Sequence, residues 1–118
     1  MKIHNWKQIA AEQMNEAVSR QVIHTDTMTI ARLSLKKGAV VPRHSHPNEQ
    51  VSNVEAGTLR FLFDDGDEVV NTGESMQIPG GVPHAVEALE DSVALDLFSP
   101  PREDWIRGDD AYLRETAR

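Results

Sequence analysis

The sequence predicts an all-β protein, an antiparallel sandwich or barrel, and two features of the chain support this prediction. Short runs rich in β-branched and aromatic residues follow one another from residue 17 to residue 98, with turn-forming residues between them. Many short strands at such spacing are typical of antiparallel β-proteins. Since 118 residues suit one domain, we expect a single domain over residues 1–118.

Eight runs have the composition of β-strands, and in chain order they are residues 17–24, 28–35, 49–56, 58–63, 68–70, 75–78, 84–88 and 92–98. Gly57 joins the third run to the fourth, and the hairpin signal Asp-Asp-Gly-Asp at 64–67 follows the fourth. Asn-Thr-Gly at 71–73 and the breaker cluster Pro-Gly-Gly-Val-Pro at 79–83 bound the sixth run. These breakers divide the β-rich sequence into strands.

The chain changes character at Pro100, where the alternating pattern stops. Residues 100–114 read Pro-Pro-Arg-Glu-Asp-Trp-Ile-Arg-Gly-Asp-Asp-Ala-Tyr-Leu-Arg, a helical or irregular tail. Pro101 suits the start of a short helix, and Glu103 and Asp104 would then lie in its first turn, where the helix dipole favours acidic groups. We expect this tail to lie across the outside of the barrel or one of its ends.

Composition narrows the partners and the location. The formal net charge is −7 and no run of Lys and Arg stands out, so nucleic acid and anionic membranes are not expected partners. The chain has no cysteine, which excludes disulfides and thiolate zinc sites. It also lacks an apolar signal-peptide core and any apolar run near the ~20 residues of a membrane helix. We therefore expect a soluble, cytoplasmic protein.

Four residues have the chemistry and spacing of a metal site. His44 and His46 are two residues apart at an expected strand end, where alternation directs both imidazoles to one face. Gln50 has the same parity, and His84 follows the glycines of the 79–83 cluster. Three imidazoles and an amide oxygen would suit one divalent first-row metal: Ni, Zn, Mn, Fe, Cu or Co. Glu49 is the alternative to Gln50 as the fourth ligand.

The spacing of these residues resembles the two metal-binding motifs of the cupins. The first motif is matched over residues 38–57 by Gly38, His44, His46, Gln50 and Gly57. The second is matched over residues 73–84 by Gly73, Pro79, Gly81 and His84. The family's usual glutamate ligand is a glutamine here. The resemblance implies a cupin-type jelly-roll β-barrel (a double-stranded β-helix), with the metal inside near one mouth and a short C-terminal helical tail.

Asp96 interrupts the apolar run 92–98 and shares a face with Ala94 and Phe98 if the strand alternates. A lone acid at such a position is paired, exposed or functional. Pairing with a cation would involve Arg20, Arg32 or Arg60, which also interrupt apolar runs, and the residues alone leave both alternatives open.

The ending Asp-Leu-Phe-Ser-Pro-Pro-Arg-Glu-Asp at 96–104 is similar to that of the small pectin-degradation cupins, which open 4,5-unsaturated uronate monosaccharides to linear keto acids. Their metal site also has three histidines and a glutamine, with one more residue between the second histidine and the glutamine. The resemblance implies that Asp96, Phe98 and Arg102 are catalytic. Arg102 or Arg20 would bind the substrate carboxylate, which both arginines suit chemically.

Three functions therefore follow as hypotheses. The first is a metal-dependent cupin that opens or isomerises an unsaturated uronate or a related small sugar acid. The second is a metal-dependent, quercetinase-like dioxygenase, which the neutral Gln50 disfavours because it supplies no ligand carboxylate to act as a base. The third is a cupin that binds a metal or a sugar without catalysis. In each case we expect a small, anionic ligand and a homodimer, because exposed sheet edges need cover.

Overall fold

Most of the folded chain forms β-strands, and a computed structural model describes residues 1–115. A single 3₁₀ turn, Trp6–Gln8, precedes the strands. The strands are β1 (Glu12–Gln13), β2 (Val18–His24), β3 (Thr29–Leu35), β4 (Val40–His44), β5 (Glu49–Ala56), β6 (Thr58–Phe63), β7 (Gly66–Asn71), β8 (Ser75–Ile78), β9 (His84–Ala88) and β10 (Ser92–Ser99). Two short helices, α1 (Glu103–Ile106) and α2 (Ala111–Arg114), follow.

The strands form two antiparallel sheets. One sheet has six strands in the order β1-β2-β3-β10-β5-β8, and the other has four in the order β4-β9-β6-β7. Both sheets contribute to one buried core, with Leu33 and Val54 from the larger sheet and Phe61 and Val86 from the smaller. Within residues 1–115 no strand pairing joins the two sheets. The predicted barrel is therefore a pair of packed sheets that hydrogen bonds do not close.

Strand β10 shows how alternation sets the inward face. Ser92, Ala94, Asp96 and Phe98 are buried, and the residues between them are more exposed. Because the side-chain period of a strand is two, Asp96 must face the core once Ala94 and Phe98 do. β10 lies between β3 and β5, opposite Ala31 and Ser52 at the level of Asp96. The sheet therefore fixes the direction of this carboxyl group.

The predicted strands agree closely with the structure, and two strands were missed. β5, β6, β8 and β9 have the expected bounds. β4 was not among the eight predicted runs because Pro42 lies at its centre, and proline ordinarily breaks the pairing of a central strand. β4 tolerates this proline because it lies at the edge of the smaller sheet. β1 has only two residues, too few for a periodic pattern.

The C-terminal tail closes one end of the space between the sheets. Trp105 of α1 and Leu113 of α2 are buried in the core, and α2 packs against β4. α1 begins at Glu103 and has two acidic residues in its first turn, as the sequence predicted. Among the described residues, neither helix has the length or apolar character needed to cross a membrane.

Candidate metal centre

Three histidines meet at the end of the core that the tail covers. His44 ends β4 and lies opposite His84, the first residue of β9. His46 lies two residues beyond His44, after β4 has ended. One nitrogen from each of the three rings lies within 4.8 Å of the others. His46 therefore joins the cluster through the turn after β4, and not through strand alternation as the sequence suggested.

The backbone fixes the tautomers of two of these histidines. Nδ1 of His44 lies 2.8 Å from the carbonyl oxygen of Pro42, and Nδ1 of His84 lies 2.8 Å from that of Val82. A carbonyl only accepts, so each Nδ1 carries the hydrogen and each Nε2 keeps its lone pair. Nε2 of His84 is buried and has no hydrogen-bond partner within residues 1–115. Such an arrangement is typical of histidines that bind a metal through Nε2.

Gln50, and not Glu49, faces the histidines. Gln50 is buried on β5, and its Oε1 lies 3.0 Å from Nε2 of His46. Two ligands about 2.1 Å from one ion and at right angles to each other lie about 3 Å apart, so the separation fits a shared metal. Glu49 is exposed and accepts a hydrogen bond from Gln77. Ser52 accepts a bond of 2.9 Å from Nε2 of Gln50, which directs Oε1 towards His46.

The protonation of the cluster also fits a metal. Burial lowers the pKa of His44 to about 3 and the pKa of His46 to about 4, and it lowers the pKa of His84 as well. All three imidazoles are therefore neutral at pH 7, the form in which histidine binds metals. With Gln50, they provide three nitrogen donors and one oxygen donor. Such a set suits several divalent first-row metals and does not select one of them.

A small cavity of about 40 Å³ lies beside the histidines. Its polar lining includes His44, Gln50, His84, Asp96 and Arg102. Burial raises the pKa of Asp96 to about 7, against the opposing effects of the Ser52 hydroxyl and the Arg102 charge. Oδ1 of Asp96 is buried and has no hydrogen-bond partner in the described part of the chain. The cavity thus joins a candidate metal site to a carboxyl group that can exchange a proton near pH 7.

The arginines that could have paired with Asp96 bind other acids. Arg32 lies 3.0 Å from Glu55, and Arg60 pairs with Glu87. Arg20 lies 2.9 Å from both Glu12 and Asp110. Across residues 1–115, Asp96 forms no ion pair. A structural ion pair therefore does not explain this buried acid.

Arg102 and Arg20 differ in their relation to the cavity. Arg102 is almost fully buried, lines the cavity, and lies over the rings of Phe98 and Trp105 at 4.7 and 4.3 Å. Its Nε and Nη2 donate to the carboxylate of Asp104 at 2.9 and 2.7 Å. Arg20 lies over the ring of Trp105 at 4.6 Å, does not line the cavity, and is held by its two acids. Direct contact between Arg20 and a ligand in the cavity therefore has no geometric support.

A model of the cupin domain family matches residues 31–99, which include all four candidate ligands. The chain belongs to the cupin family. No curated protein sequence matches this cupin. Solved structures do, and KdgF from Halomonas is 24% identical over 88% of this chain and 99% of KdgF, with a TM-score of 0.81.

Two other cupin structures extend the comparison. An RmlC-like cupin from Shewanella frigidimarina is 26% identical over 89% of this chain and 96% of its own, with a TM-score of 0.82. Oxalate decarboxylase from Lactobacillus farciminis is 20% identical over 90% of this chain and 38% of its own, with a TM-score of 0.72. These three proteins therefore share the fold of this chain, although they differ in name and in length.

Two polar residues of the site were missed by the sequence analysis. Ser52 lies two residues after Gln50 on β5, so strand parity alone could have placed it on the same face. Tyr112 lies in α2, and its ring stacks on His44 with 4.3 Å between ring centroids. No motif or periodicity marks Tyr112, because only the packing of the tail against β4 brings it to the site.

Proposed function

We propose that this cupin is a metal-dependent enzyme that opens or isomerises a 4,5-unsaturated uronate monomer, or a related small sugar acid, to a linear keto acid. One observation carries the proposal: the carboxyl group of Asp96 is buried in the cavity that His44 and His84 line, and no residue among 1–115 forms an ion pair with it. The ending at residues 96–104, which resembles that of the pectin-degradation cupins, supports this substrate class, and the structural likeness to KdgF supports the fold in which the site lies.

Asp96 is suited to moving a proton. Ring opening and the tautomerisation that follows require a group that removes a proton from one oxygen or carbon and returns it to another. A carboxyl group whose pKa is about 7 can do both near neutral pH. The Ser52 hydroxyl beside it and the charge of Arg102 stabilise the ionised form. Asp96 is therefore the proposed general acid and base.

Arg102 and Phe98 are proposed to position the substrate. The guanidinium of Arg102 is fixed by Asp104 on one edge and by two aromatic rings on its faces. This fixed cation at the cavity wall suits the carboxylate of a uronate. Phe98 lies edge-on to His46 with 5.6 Å between ring centroids, and it shapes the apolar side of the cavity. Both residues would orient the substrate relative to Asp96.

His44, His46, Gln50 and His84 would hold the divalent metal. Such an ion supplies Lewis acidity, and its charge is not offset here because all four ligands are neutral. A site that keeps a full double charge favours ligands that carry or develop negative charge on oxygen. That preference agrees with a uronate as the substrate.

The size of the cavity sets one requirement on this function. About 40 Å³ holds only a few water molecules, and a sugar ring is larger. Tyr112 and Leu113 of α2 form part of the wall. Binding of a whole uronate therefore requires this cavity to widen.

The test is a spectroscopic assay of the purified protein loaded separately with nickel, zinc, manganese or iron. The conjugated double bond of a 4,5-unsaturated galacturonate or guluronate absorbs in the ultraviolet, and the linear keto product does not. We expect decay faster than the spontaneous rate, lost in Asp96→Asn and in His84→Ala. Asp67→Asn, a change of the same kind at an exposed position on β7, serves as the control.

A specific result would remove the uronate assignment. If no metal accelerates the decay, although metal analysis shows that the protein holds one and His84→Ala does not, the proposal fails. Substrate-dependent oxygen uptake would then indicate a dioxygenase. Ligand binding without turnover would indicate a binding protein.

A further inference from the structure

Tyr112 lies in the wall of the cavity beside the histidines. Among residues 1–115 its hydroxyl group accepts hydrogen bonds but donates none. It is the single tyrosine of the chain. Its ring is inclined by 23° to the ring of His44, against which it stacks. Its hydroxyl oxygen lies 2.6 Å from Nη2 of Arg102 and 2.9 Å from Nε1 of Trp105.

Both neighbours of this hydroxyl are donors. A guanidinium and an indole N–H have no lone pair to offer, so the phenolic oxygen accepts in both bonds. The hydrogen of the hydroxyl group is therefore not used by Arg102 or Trp105. Across residues 1–115 these are the hydrogen bonds that Tyr112 makes through its side chain. Tyr112 is half-buried, and a hydroxyl hydrogen that is shielded from water and has no acceptor costs about 1–3 kcal/mol, which favours a ligand or water that accepts it.

The surroundings select the kind of acceptor. Arg102 places a positive charge next to the hydroxyl, and His44 and His84 bring the candidate metal site to the same cavity. Asp96 lines the same cavity, and its Oδ1 is also without a hydrogen-bond partner in the described chain. An unused donor, a fixed cation and a carboxyl group thus line one small space. An anionic oxygen atom of a ligand would accept the hydrogen bond of the hydroxyl and pair with the cation. The same ligand would share a proton with Asp96.

We propose that Tyr112 is a further ligand-binding residue of this site and that its hydroxyl donates a hydrogen bond to an anionic oxygen of the bound ligand. Arg102 and Trp105 hold the hydroxyl in place, and the stacked His44 holds the ring. The inference rests on the proposed function in taking the ligand to be an oxyanion such as a carboxylate or an enolate. It adds Tyr112, from the C-terminal tail, to the site residues that the two cupin motifs supply.

The single tyrosine makes a direct test possible. Protein grown with ring-labelled tyrosine gives one NMR signal for the carbon that bears the hydroxyl, and this signal responds to hydrogen bonding. The probes are D-galacturonate, a saturated uronate with no double bond to open, and acetate, each titrated into the zinc-loaded protein. We expect the tyrosine signal to move in proportion to saturation of the site measured by calorimetry.

Two variants distinguish a role of Tyr112 in ligand binding from a role in holding α2 in place. Tyr112→Phe keeps the ring and removes the hydroxyl, so we expect both probes to bind about 10-fold more weakly, the loss of one hydrogen bond to a charged group. Asn15 anchors α2 from outside the cavity, since its Nδ2 donates to the carbonyl oxygens of Leu113 and Glu115. Asn15→Asp removes these bonds and keeps the acceptor that binds the backbone N–H groups of Ala17 and Val18. It should bind both probes as the wild type does.

Four results would overturn the inference: a tyrosine signal that does not move when a probe binds, unchanged affinity in Tyr112→Phe, an equal loss in Asn15→Asp, or no binding of either probe. The outcome is distinguishable from that of the proposed function. If the wild type fails to open unsaturated uronates but the binding pattern holds, the ring-opening function falls and the role of Tyr112 stands. If the wild type opens the uronate and Tyr112→Phe has an unchanged KM, the ring-opening function stands and the role of Tyr112 falls.

Discussion

At the scale of single residues, the site is defined by polar atoms that are buried without a hydrogen-bond partner among the described residues 1–115. Nε2 of His84 and Oδ1 of Asp96 are two such atoms. Burial of each costs free energy in the absence of a ligand or water, because a buried polar atom loses its hydrogen bonds to water. Proteins accept such costs mainly where function requires the group. Substitutions that remove these atoms should therefore raise the stability of the protein and lower its activity.

Asp96→Asn should stabilise the metal-free protein at pH 8. The pKa of Asp96 is about 7 in the folded chain and about 4 when unfolded. Between about pH 4 and about pH 7 the unfolded state binds fewer protons than the folded state does. The stability that the protonated carboxyl group contributes is therefore lost as the pH rises towards 7. The amide has no charge to bury, and we expect the free energy of unfolding to rise by about 1–4 kcal/mol.

Urea unfolding at pH 8 and at pH 5 measures this effect. The gain of Asp96→Asn over the wild type should shrink as the pH falls, and Asp67→Asn should show neither change. An Asn variant no more stable than the wild type at pH 8 would mean that Asp96 does not carry a raised pKa.

Gln50→Glu should tighten metal binding and weaken the proposed reaction. A carboxylate at this position cancels one charge of the ion, which strengthens its binding and reduces its power to stabilise negative charge. Glu49→Gln is the matched control, because Glu49 points to solvent and should not affect the metal. Competition with a chelator measures the affinity, and the uronate assay measures the rate. A metal affinity that responds to Glu49→Gln and not to Gln50→Glu would make Glu49 the ligand.

At the scale of elements, each group of the site depends on its position along one strand. The end of β4 presents His44, the start of β9 presents His84, and the middle of β10 presents Asp96. Strand bounds were predictable because the side-chain period of two and the turn residues are local properties. The tail was predictable only as helical or irregular. Its ion pairs from Asp110 to Arg20 and from Arg114 to Glu12, which hold α2 in place, connect residues far apart in sequence.

Gly57 should be the least replaceable turn residue between two strands. Its φ is +80°, and a Cβ there would lie 2.2 Å from Oγ of Ser92 and 2.4 Å from the carbonyl oxygen of Asp91. We expect Gly57→Ala to lower the free energy of unfolding by more than about 3 kcal/mol, because strain and collision with backbone add. Gly38 has a φ of +87° and no atom within 4 Å of such a Cβ. Gly38→Ala should therefore cost only about 1–2 kcal/mol.

Urea unfolding of both alanine variants compares the two positions. Equal losses would mean that the contact between Gly57 and the β9–β10 turn, residues 89–91, is not close in solution.

At the scale of the whole molecule, two packed sheets and a covering tail enclose the site. The core lies between the sheets, and the histidines lie where α2 covers its end. The family match over residues 31–99 and the structural neighbours agree with the fold of the two sheets. The homodimer expected from sequence stays a prediction, which sedimentation of the purified protein would test.

The metal-free protein should lose stability as the pH falls from about 6.5 to about 4. The pKa values of His44 and His46 are about 3 and 4 when folded, and near 6.5 when unfolded. In this range the unfolded state takes up protons that the folded state does not, so unfolding is favoured by acid. Two histidines contribute at most about 3 kcal/mol per pH unit, and Asp96 opposes them with about half of that.

Urea midpoints at several pH values, with a chelator present, measure this dependence. His46→Gln should flatten it, whereas a substitution of His4, which is exposed and is not part of the cluster, should not. A midpoint independent of pH would mean that the histidines are protonated in the folded chain.

The sequence by itself determined the β class, most strand bounds and the four candidate ligands, because alternation, turn chemistry and motif spacing are encoded locally. Only the tertiary structure decided that Asp96 has no cationic partner within residues 1–115, that Arg20 is paired with other acids, and that Tyr112 covers His44. These contacts join residues distant in sequence, and each depends on how the sheets and the tail pack. A local pattern can assign a residue to a face, but the partner that it meets there is set by the rest of the fold.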